Sequence, residues 1–358
     1  MARQLCEPTQ GRTGSSAVMR ICLTRMKIGI IGAGAIGGFF AARLALAGHS
    51  VSVLARGATL EALRAHGQRL DSGGQSLVAP VQSSDRAHDL GPQDAVVLAV
   101  KAPSLAQVMS AMAPLCAPHT IVIPALNGLP WWYFLGATGK LAGHRLRSVD
   151  PDGLIEHTVA LPSVLGCVVF PACSVRAPGH VVHASGNRIV FGEPAGGSSP
   201  RALAMAGAFK EAGFDAEASG GIRQEVWLKL LGNACFNPVS LITRSATDLL
   251  IDDPGIYDLF SAMMRETLAV GAAAGVEVAI EPGQRLALTR RLGHIRTSML
   301  QDAEAGRAVE LEAILGAAVE VAAATGTPAP LLGAVYALAR MHAMTAGLLA
   351  APVTPTKV

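Results

Sequence analysis

Three polar residues recur at helical spacing inside an otherwise apolar run. They are Lys229, Asn233 and Asn237, in Trp227-Leu228-Lys229-Leu230-Leu231-Gly232-Asn233-Ala234-Cys235-Phe236-Asn237-Pro238. Positions i, i+4 and i+8 drift by only about 40° per step on an α-helix, so the three line one face. The surrounding positions are largely apolar, which marks the helix as buried. An unpaired buried polar group costs ~1–3 kcal/mol, so the stripe must meet partners or a ligand. A solvated face would carry several charges rather than two amides. A second set follows in Thr297-Ser298-Met299-Leu300-Gln301-Asp302, Gly306-Arg307 and Glu310. Ser298 reads as a hydroxyl at a loop or helix start. Glu310 is placed on the next helix, where an acid taken alone is more often a surface group.

A third feature sits near the start. Lys27 to Ile31 is a short β-rich run, followed by Gly32-Ala33-Gly34-Ala35-Ile36-Gly37 and a helical stretch to Ala47. The spacing GxGxxG between a strand and a helix has a physical meaning. Gly32 permits a tight turn, Gly34 lets the backbone approach a pyrophosphate, and Gly37 lets the helix lie close to the sheet. The first peptide N–H groups of the helix, Ala35 and Ile36 among them, then face the phosphates with the positive end of the helix dipole. The alternative is a glycine-rich helix start used only for packing.

The end of the second predicted strand bears on which dinucleotide. An NAD site usually has Asp or Glu there for the ribose hydroxyls. Here the chain reads Val53-Leu54-Ala55-Arg56-Gly57. With no acid present, Arg56 is the candidate to hold a 2′-phosphate, which points to NADP. Lys101 and Asn127 each follow a predicted strand, so they project from the carboxyl edge of the sheet, where open α/β folds bind ligands. Either alone is uninformative, since a lysine is commonly solvated and Asn-Gly is commonly a turn.

These residues need elements to hold them. Ser50 to Leu54, Ala95 to Val100 and Thr120 to Ala125 read as further strands, with a helical segment around Leu105 to Leu115. Alternating strands and helices imply an α/β fold, an N-terminal Rossmann doubly wound parallel sheet. Val164 to Phe170, His180 to His183 and Arg188 to Phe191 read as short antiparallel strands closing that domain at its edge. A helix-strand unit spans Arg201 to Ala218. After Gly220-Gly221 the pattern is helical: Ile222 to Asn237, Tyr257 to Ala274, Gly283 to Gly293, Arg307 to Thr325 and Leu331 to Ala351. The expected division is residues 1–25 as an extension, 26–220 as the NADP-binding domain, and 221–358 as a C-terminal all-helical substrate and catalytic domain.

Composition narrows the function classes. The 358 residues carry a net charge of +3 and no Lys/Arg block, which speaks against a nucleic-acid partner. The most apolar C-terminal stretch is interrupted by Arg340 and His342, so no membrane span is expected. The first 25 residues hold four arginines but no continuous apolar segment, so no secretory signal is read. Met26 stands directly before the first strand. The six cysteines form no CxxC pair and read as reduced thiols of a cytoplasmic protein. The ten histidines show no metal-binding spacing, and no metal is expected.

From Met26 to about Tyr336 the chain resembles the ketopantoate reductase (2-dehydropantoate 2-reductase) family. The resemblance is carried by Gly32-x-Gly34-x-x-Gly37, Arg56, Val100-Lys101-Ala102, Asn127-Gly128, the Lys229/Asn233/Asn237 stripe, the run from Ser298 to Asp302, and Glu310. It implies reduction of ketopantoate to pantoate with NADPH, as in pantothenate and coenzyme A biosynthesis. Lys229 would be the general acid, and Asn233, Asn237 and Ser298 would grip the substrate. Glu310 would help position the substrate and Lys229, while Lys101 and Asn127 would line the cofactor side. The chemistry is coherent, because a lysine ammonium can stabilise charge growing on a ketone oxygen and then donate its proton. The chain departs from the family pattern at Trp131-Trp132-Tyr133-Phe134, four aromatics in a protein that is 4% aromatic. They read either as a reshaped substrate pocket or as packing between domains. Two further readings remain: a reductase of another 2-oxo acid, and a non-catalytic NADPH-binding sensor. The oligomeric state is left open, a homodimer included.

Overall fold

The computed structural model describes residues 25–349. Apart from Arg25, the expected extension lies outside them, with Cys6 and Cys22. Among the described residues are the strands β1 (Lys27–Ile31), β2 (Ser50–Leu54), β3 (Gln68–Ser72), β4 (Gln75–Ala79), β5 (Gln82–Ser84), β6 (Gln93–Leu98), β7 (Cys116–Pro124), β8 (Gly166–Val169), β9 (Ala172–Ala177), β10 (His180–Ser185), β11 (Arg188–Gly192) and β12 (Asp215–Ala218). Five of them pair in parallel in the order β5-β2-β1-β6-β7. Side chains alternate across this sheet, as the two-residue period of a strand requires. Ile28 and Ile30 pack with Phe39 and Phe40 of the first helix, Ala35–Leu46, whereas Ile31 faces the opposite core.

The sheet continues beyond β7. Leu165 N–H donates to the Val122 carbonyl at 2.9 Å, bringing the three-stranded sheet β12-β11-β8 alongside. There β8 runs antiparallel to β11, and β12 runs parallel to it. β9 and β10 do not close this edge. They join β3 and β4 in a separate sheet, β4-β3-β10-β9, that packs on the first helix. The β3–β4 hairpin was not read from the sequence. Its two-residue turn is Gly73-Gly74, both at positive φ (57° and 77°), as a type I′ turn demands. The strands it joins are short and half polar, so the glycine pair was their only strong mark.

Two further expectations change. Leu105 to Leu115 is not one helix but an α turn, Leu105–Val108, among 3₁₀ turns. Pro114 lacks the N–H that would continue a regular ladder to the end of the stretch. The helix expected from Arg307 starts only at Leu311, with a π turn at Glu312–Gly316, so Glu310 precedes the helix instead of lying on it. The rest of the C-terminal region is mostly helical: Ile222–Thr243, Thr247–Asp252, Pro254–Ala273, Pro282–Arg290, Ser298–Glu304, Ala317–Thr325 and Pro330–Thr345. None of the described helices is long and apolar enough to cross a membrane.

The aromatic run lies between the sheet and the long helix Ile222–Thr243. Trp131, Trp132, Tyr133 and Phe134 are each at most 2% exposed, so they are interior groups. The Tyr133 hydroxyl donates to the Arg223 carbonyl at 2.9 Å, and the Arg223 guanidinium donates back to the carbonyls of Tyr133 (2.7 Å) and Leu135 (3.0 Å). The Tyr133 ring centre lies 5.9 Å from that of Trp227. Both indole N–H groups, of Trp131 and Trp132, are buried without a partner. Each such group costs ~1–3 kcal/mol. Burying ~200 Å² of ring at ~25 cal/mol per Å² returns about 5 kcal/mol, so packing outweighs the loss. Trp132→Ala should therefore cost about 3–5 kcal/mol of stability, read as a shift in the urea-unfolding midpoint. Trp132→Phe should cost much less, since it keeps a ring and removes the unpaired N–H. Equal losses for both would show that ring packing is not what joins the two regions.

Candidate active site

The glycine-rich turn follows β1 directly. Gly32 has φ +99°, and a Cβ there would lie 2.7 Å from Val100 Cγ1 and 2.9 Å from the Ala99 carbonyl oxygen. A Cβ on Gly37 would lie 1.9 Å from the Gly32 carbonyl oxygen. The protein's own packing thus requires both glycines. Gly34 is different, because a Cβ there would meet nothing within 4 Å. Its open side lies at the N-terminus of the first helix, where Ala35 and Ile36 begin the helix and no side chain caps their N–H groups. Uncapped donors under an open surface fit a pyrophosphate. Arg56 ends the loop after β2 as the N-cap of the helix Gly57–His66, and its side chain is exposed. No acid stands at that strand end to take a ribose hydroxyl.

The polar stripe of the long helix meets the end of β7. Lys229 Nζ donates to Asn127 Oδ1 at 2.8 Å and to the Val169 carbonyl at 2.5 Å. Asn127 Nδ2 donates in turn to Glu310 Oε2 at 3.0 Å. Glu310 Oε1 accepts the Ala102 N–H at 3.1 Å. One amide therefore joins a base on the helical side to an acid on the segment after Arg307. Asn127, expected to line the cofactor side of the cleft, stands between Lys229 and Glu310. Lys101 likewise reaches across, donating to the Ala308 carbonyl at 3.1 Å and pairing with Asp302. Arg307 Nε also pairs with Asp302, at 3.1 Å.

Asn233 shares with Lys229 a crevice whose other walls include Leu126, Pro130, Cys167 and Val226. None of the four consecutive aromatics lines it. Asn237 is 4% exposed, and its Nδ2 has no hydrogen-bond partner. It lies on the helix face shared with Lys229 and Asn233. Ser298 opens the helix Ser298–Glu304 and is exposed, while its neighbour Thr297 caps that helix by accepting the Leu300 N–H at 3.2 Å. Burial pushes the Lys229 ammonium down to about 8, with the Glu310 carboxylate, and after it Cys167, acting in the opposite direction. Burial pushes the Cys167 thiol up to about 12, so it is a neutral neighbour.

An ammonium has three donors. Two of those on Lys229 are occupied by Asn127 and Val169, and the third is uncommitted among the described residues. Sequence reasoning missed the partners that are backbone groups: the Val169 carbonyl, the Ala102 N–H and the Ala308 carbonyl. Every residue carries such groups, so no residue type marks them. Cys167 was visible only as one thiol in an apolar strand.

Two family descriptions match the chain. "Ketopantoate reductase PanE/ApbA" covers residues 28–196, and "Ketopantoate reductase PanE/ApbA C terminal" covers residues 221–343. The 2-dehydropantoate 2-reductase of Mesorhizobium japonicum is 44% identical over 323 residues, which is 90% of this chain and 99% of that protein. That of Archaeoglobus fulgidus is 30% identical, over 82% of this chain and 90% of its own. The crystal structure of a putative ketopantoate reductase from Ralstonia solanacearum superposes with a TM-score of 0.87 at 44% identity, covering 91% of this chain and all of the other. D-mandelate dehydrogenase with NADH and anilino(oxo)acetate superposes with a TM-score of 0.77 at 19% identity, a likeness of fold alone. With both halves matched and a 44% identical relative aligned along nearly its whole length, the chain belongs to the ketopantoate reductase family, pyridine-nucleotide-dependent oxidoreductases that act on a 2-oxo acid.

Proposed function

We propose that this protein reduces 2-dehydropantoate to pantoate with NADPH, and that this serves pantothenate and coenzyme A synthesis in the cytoplasm. The observation that supports it most is the triad of Lys229, Asn127 and Glu310, set beside two amides of the same helix face. The 44% identical relative of that name supports the substrate. In this reading residues 26–220 hold the cofactor, and the helical part from 221 supplies the substrate side. Gly32, Gly34, Gly37 and the Ala35 and Ile36 N–H groups would hold the pyrophosphate, and Arg56 the 2′-phosphate. NADPH bound there supplies the hydride.

The remaining work falls to the chain. Asn233, Asn237 and Ser298 would hold the hydroxyl and carboxylate of the substrate. As the carbonyl oxygen gains charge, the third donor of Lys229 stabilises it and then transfers its proton. Asn127 holds Nζ on its line of approach, and Glu310 fixes Asn127. The reading in which a reshaped aromatic pocket selects another 2-oxo acid has lost its support. Those rings are packed in the interior and are not among the residues that line the crevice.

The two open ends of the cofactor site can be separated from its packing. Gly34→Ala should leave the melting temperature unchanged while raising the KM for NADPH, since its methyl meets only the approaching phosphate. Gly37→Ala should lower the melting temperature as well, because it forces the helix off the turn. If Gly34→Ala binds NADPH normally, the pyrophosphate does not lie there. Arg56→Ala should raise the KM for NADPH far more than that for NADH. Indifference of the unmodified enzyme to the two cofactors would sink the assignment of NADP.

The proton donor predicts a pH profile. Lys229 acts as an acid only while charged, and its ammonium titrates at about 8. The turnover number with ketopantoate should therefore be level below that pH and fall as pH rises through it. Lys229→Ala should cut the turnover number by about 10²–10⁴ and remove that limb, with NADPH binding intact. Normal turnover by this variant would falsify the assignment.

A further inference from the structure

The chain just after Glu310 winds abnormally. Leu311 leads into a π turn, Glu312–Gly316, before the α-helix Ala317–Thr325. A π turn takes in one residue more than an α turn. At about 100° per residue, that insertion rotates whatever precedes it around the helix axis by the same amount. Glu310 stands just before this point: its own carbonyl accepts the Ile314 N–H at 3.2 Å, the α-type spacing, and the wide bond, from the Ala317 N–H to the Glu312 carbonyl, comes after it. Because Glu310 precedes the insertion, the winding of the turn sets its direction relative to the helix Ala317–Thr325. The same turn carries the loop of Asn127. The Ala313 carbonyl accepts the Leu129 N–H at 2.8 Å, and Gly128 (φ +81°) rests so close that a Cβ would lie 2.1 Å from the Ala313 oxygen.

Side chains from the last helix hold the turn. The Tyr336 hydroxyl donates to Glu312 Oε2 at 2.5 Å, and Arg340 Nε lies 3.5 Å from Glu312 Oε1. Gly316 leaves room for this clip, since a Cβ there would lie 2.7 Å from Glu312 Oε2 and 3.2 Å from Tyr336 Cε2. The hydrogen bonds of Lys229, Asn127 and Glu310 include neither Tyr336 nor Glu312.

We propose that the Tyr336–Glu312 hydrogen bond keeps the π turn wide and so aims Glu310 at Asn127, making Tyr336 and Glu312 positioning residues for the Lys229 ammonium. This rests on the reading of Lys229 as proton donor, and it adds the device that sets its environment. The ionisable groups acting on Lys229 are Glu310 and the Cys167 thiol, and burial keeps that thiol neutral near neutral pH. If the turn relaxes to α-helical winding, Glu310 swings away and the charged form of Lys229 loses its anionic neighbour.

The test is a lysine-resolved NMR titration of the full chain without substrate, comparing the unmodified protein with Tyr336→Phe and Glu312→Gln. In both variants the pKa of Lys229 should fall by about one unit, the low end of what an opposite charge a few ångströms away contributes. Turnover of ketopantoate should drop roughly tenfold, within the ~10²-fold cost of misplacing a reacting group by 1 Å, while the KM for NADPH stays unchanged. Lys140→Met is the control. It cuts the Lys140 Nζ to Thr325 carbonyl bond (2.7 Å) at the far end of the same helix, and should lower the melting temperature without moving Lys229. A Lys229 pKa unmoved in both variants overturns the proposal. So does an equal fall in Lys140→Met, which would mean that any loosening of the two regions suffices. Absence of ketopantoate turnover in the unmodified protein would overturn the proposed reaction instead, and the titration would still decide the role of the turn.

Discussion

The Asn127 side chain touches two groups that belong to different parts of the chain. Its oxygen accepts from Lys229, and its nitrogen donates to Glu310. An amide can do both because it carries an acceptor and two donors without charge. A carboxylate in its place would have only acceptors and could not face Glu310. Much of the architecture can be understood as what this small contact needs. β7 must end where the long helix passes, and the segment after Arg307 must fold back on both. A displacement of about an ångström in any of the three would break one of the two bonds.

The joint between sheet and helices is tied at several points. It combines buried rings with backbone groups held by charged side chains. Arg223 grips the carbonyls of Tyr133 and Leu135, and the Glu320 carboxylate accepts the N–H groups of Arg147 and Ser148, both at 2.8 Å. Such charge-assisted bonds are shorter and stronger than neutral ones. Gly128 against Ala313 brings backbone onto backbone with no side chain between. The aromatic run belongs to this joint, which is why it is conspicuous in composition yet silent in the crevice.

Electrostatics explains why the site uses amides so freely. Burial alone disfavours a charged lysine. The charge of Glu310 restores part of the loss from the far side of Asn127, so Lys229 stays near 8 rather than returning to its usual value. A general acid works best with a pKa close to the operating pH. Acids at positions 233 or 237 would have pulled it upward again. Asn233 and Asn237 add polar groups to the same face without adding charge.

The sequence by itself determined the features that depend on local rules. The strand–GxGxxG–helix unit was legible because only glycine satisfies the turn at Gly32 and the close approach at Gly37. The Lys229, Asn233 and Asn237 face was legible because helical periodicity is fixed by covalent geometry. The change from sheet to helices near residue 220 showed in the pattern of apolar residues. What tertiary structure alone decided is which of these local pieces meet. Nothing near Asn127 in sequence says that it bridges residues 102 and 183 positions away. Nothing near Trp131 says whether four rings line a cleft or fill a joint. The partners of Lys229 and Glu310 include backbone carbonyl and N–H groups, which carry no signature of residue type. The π turn that aims Glu310 is the sharpest case. It differs from α-helix by a single residue of winding, and it is held by Tyr336 from another helix, so the local sequence could not choose between the two.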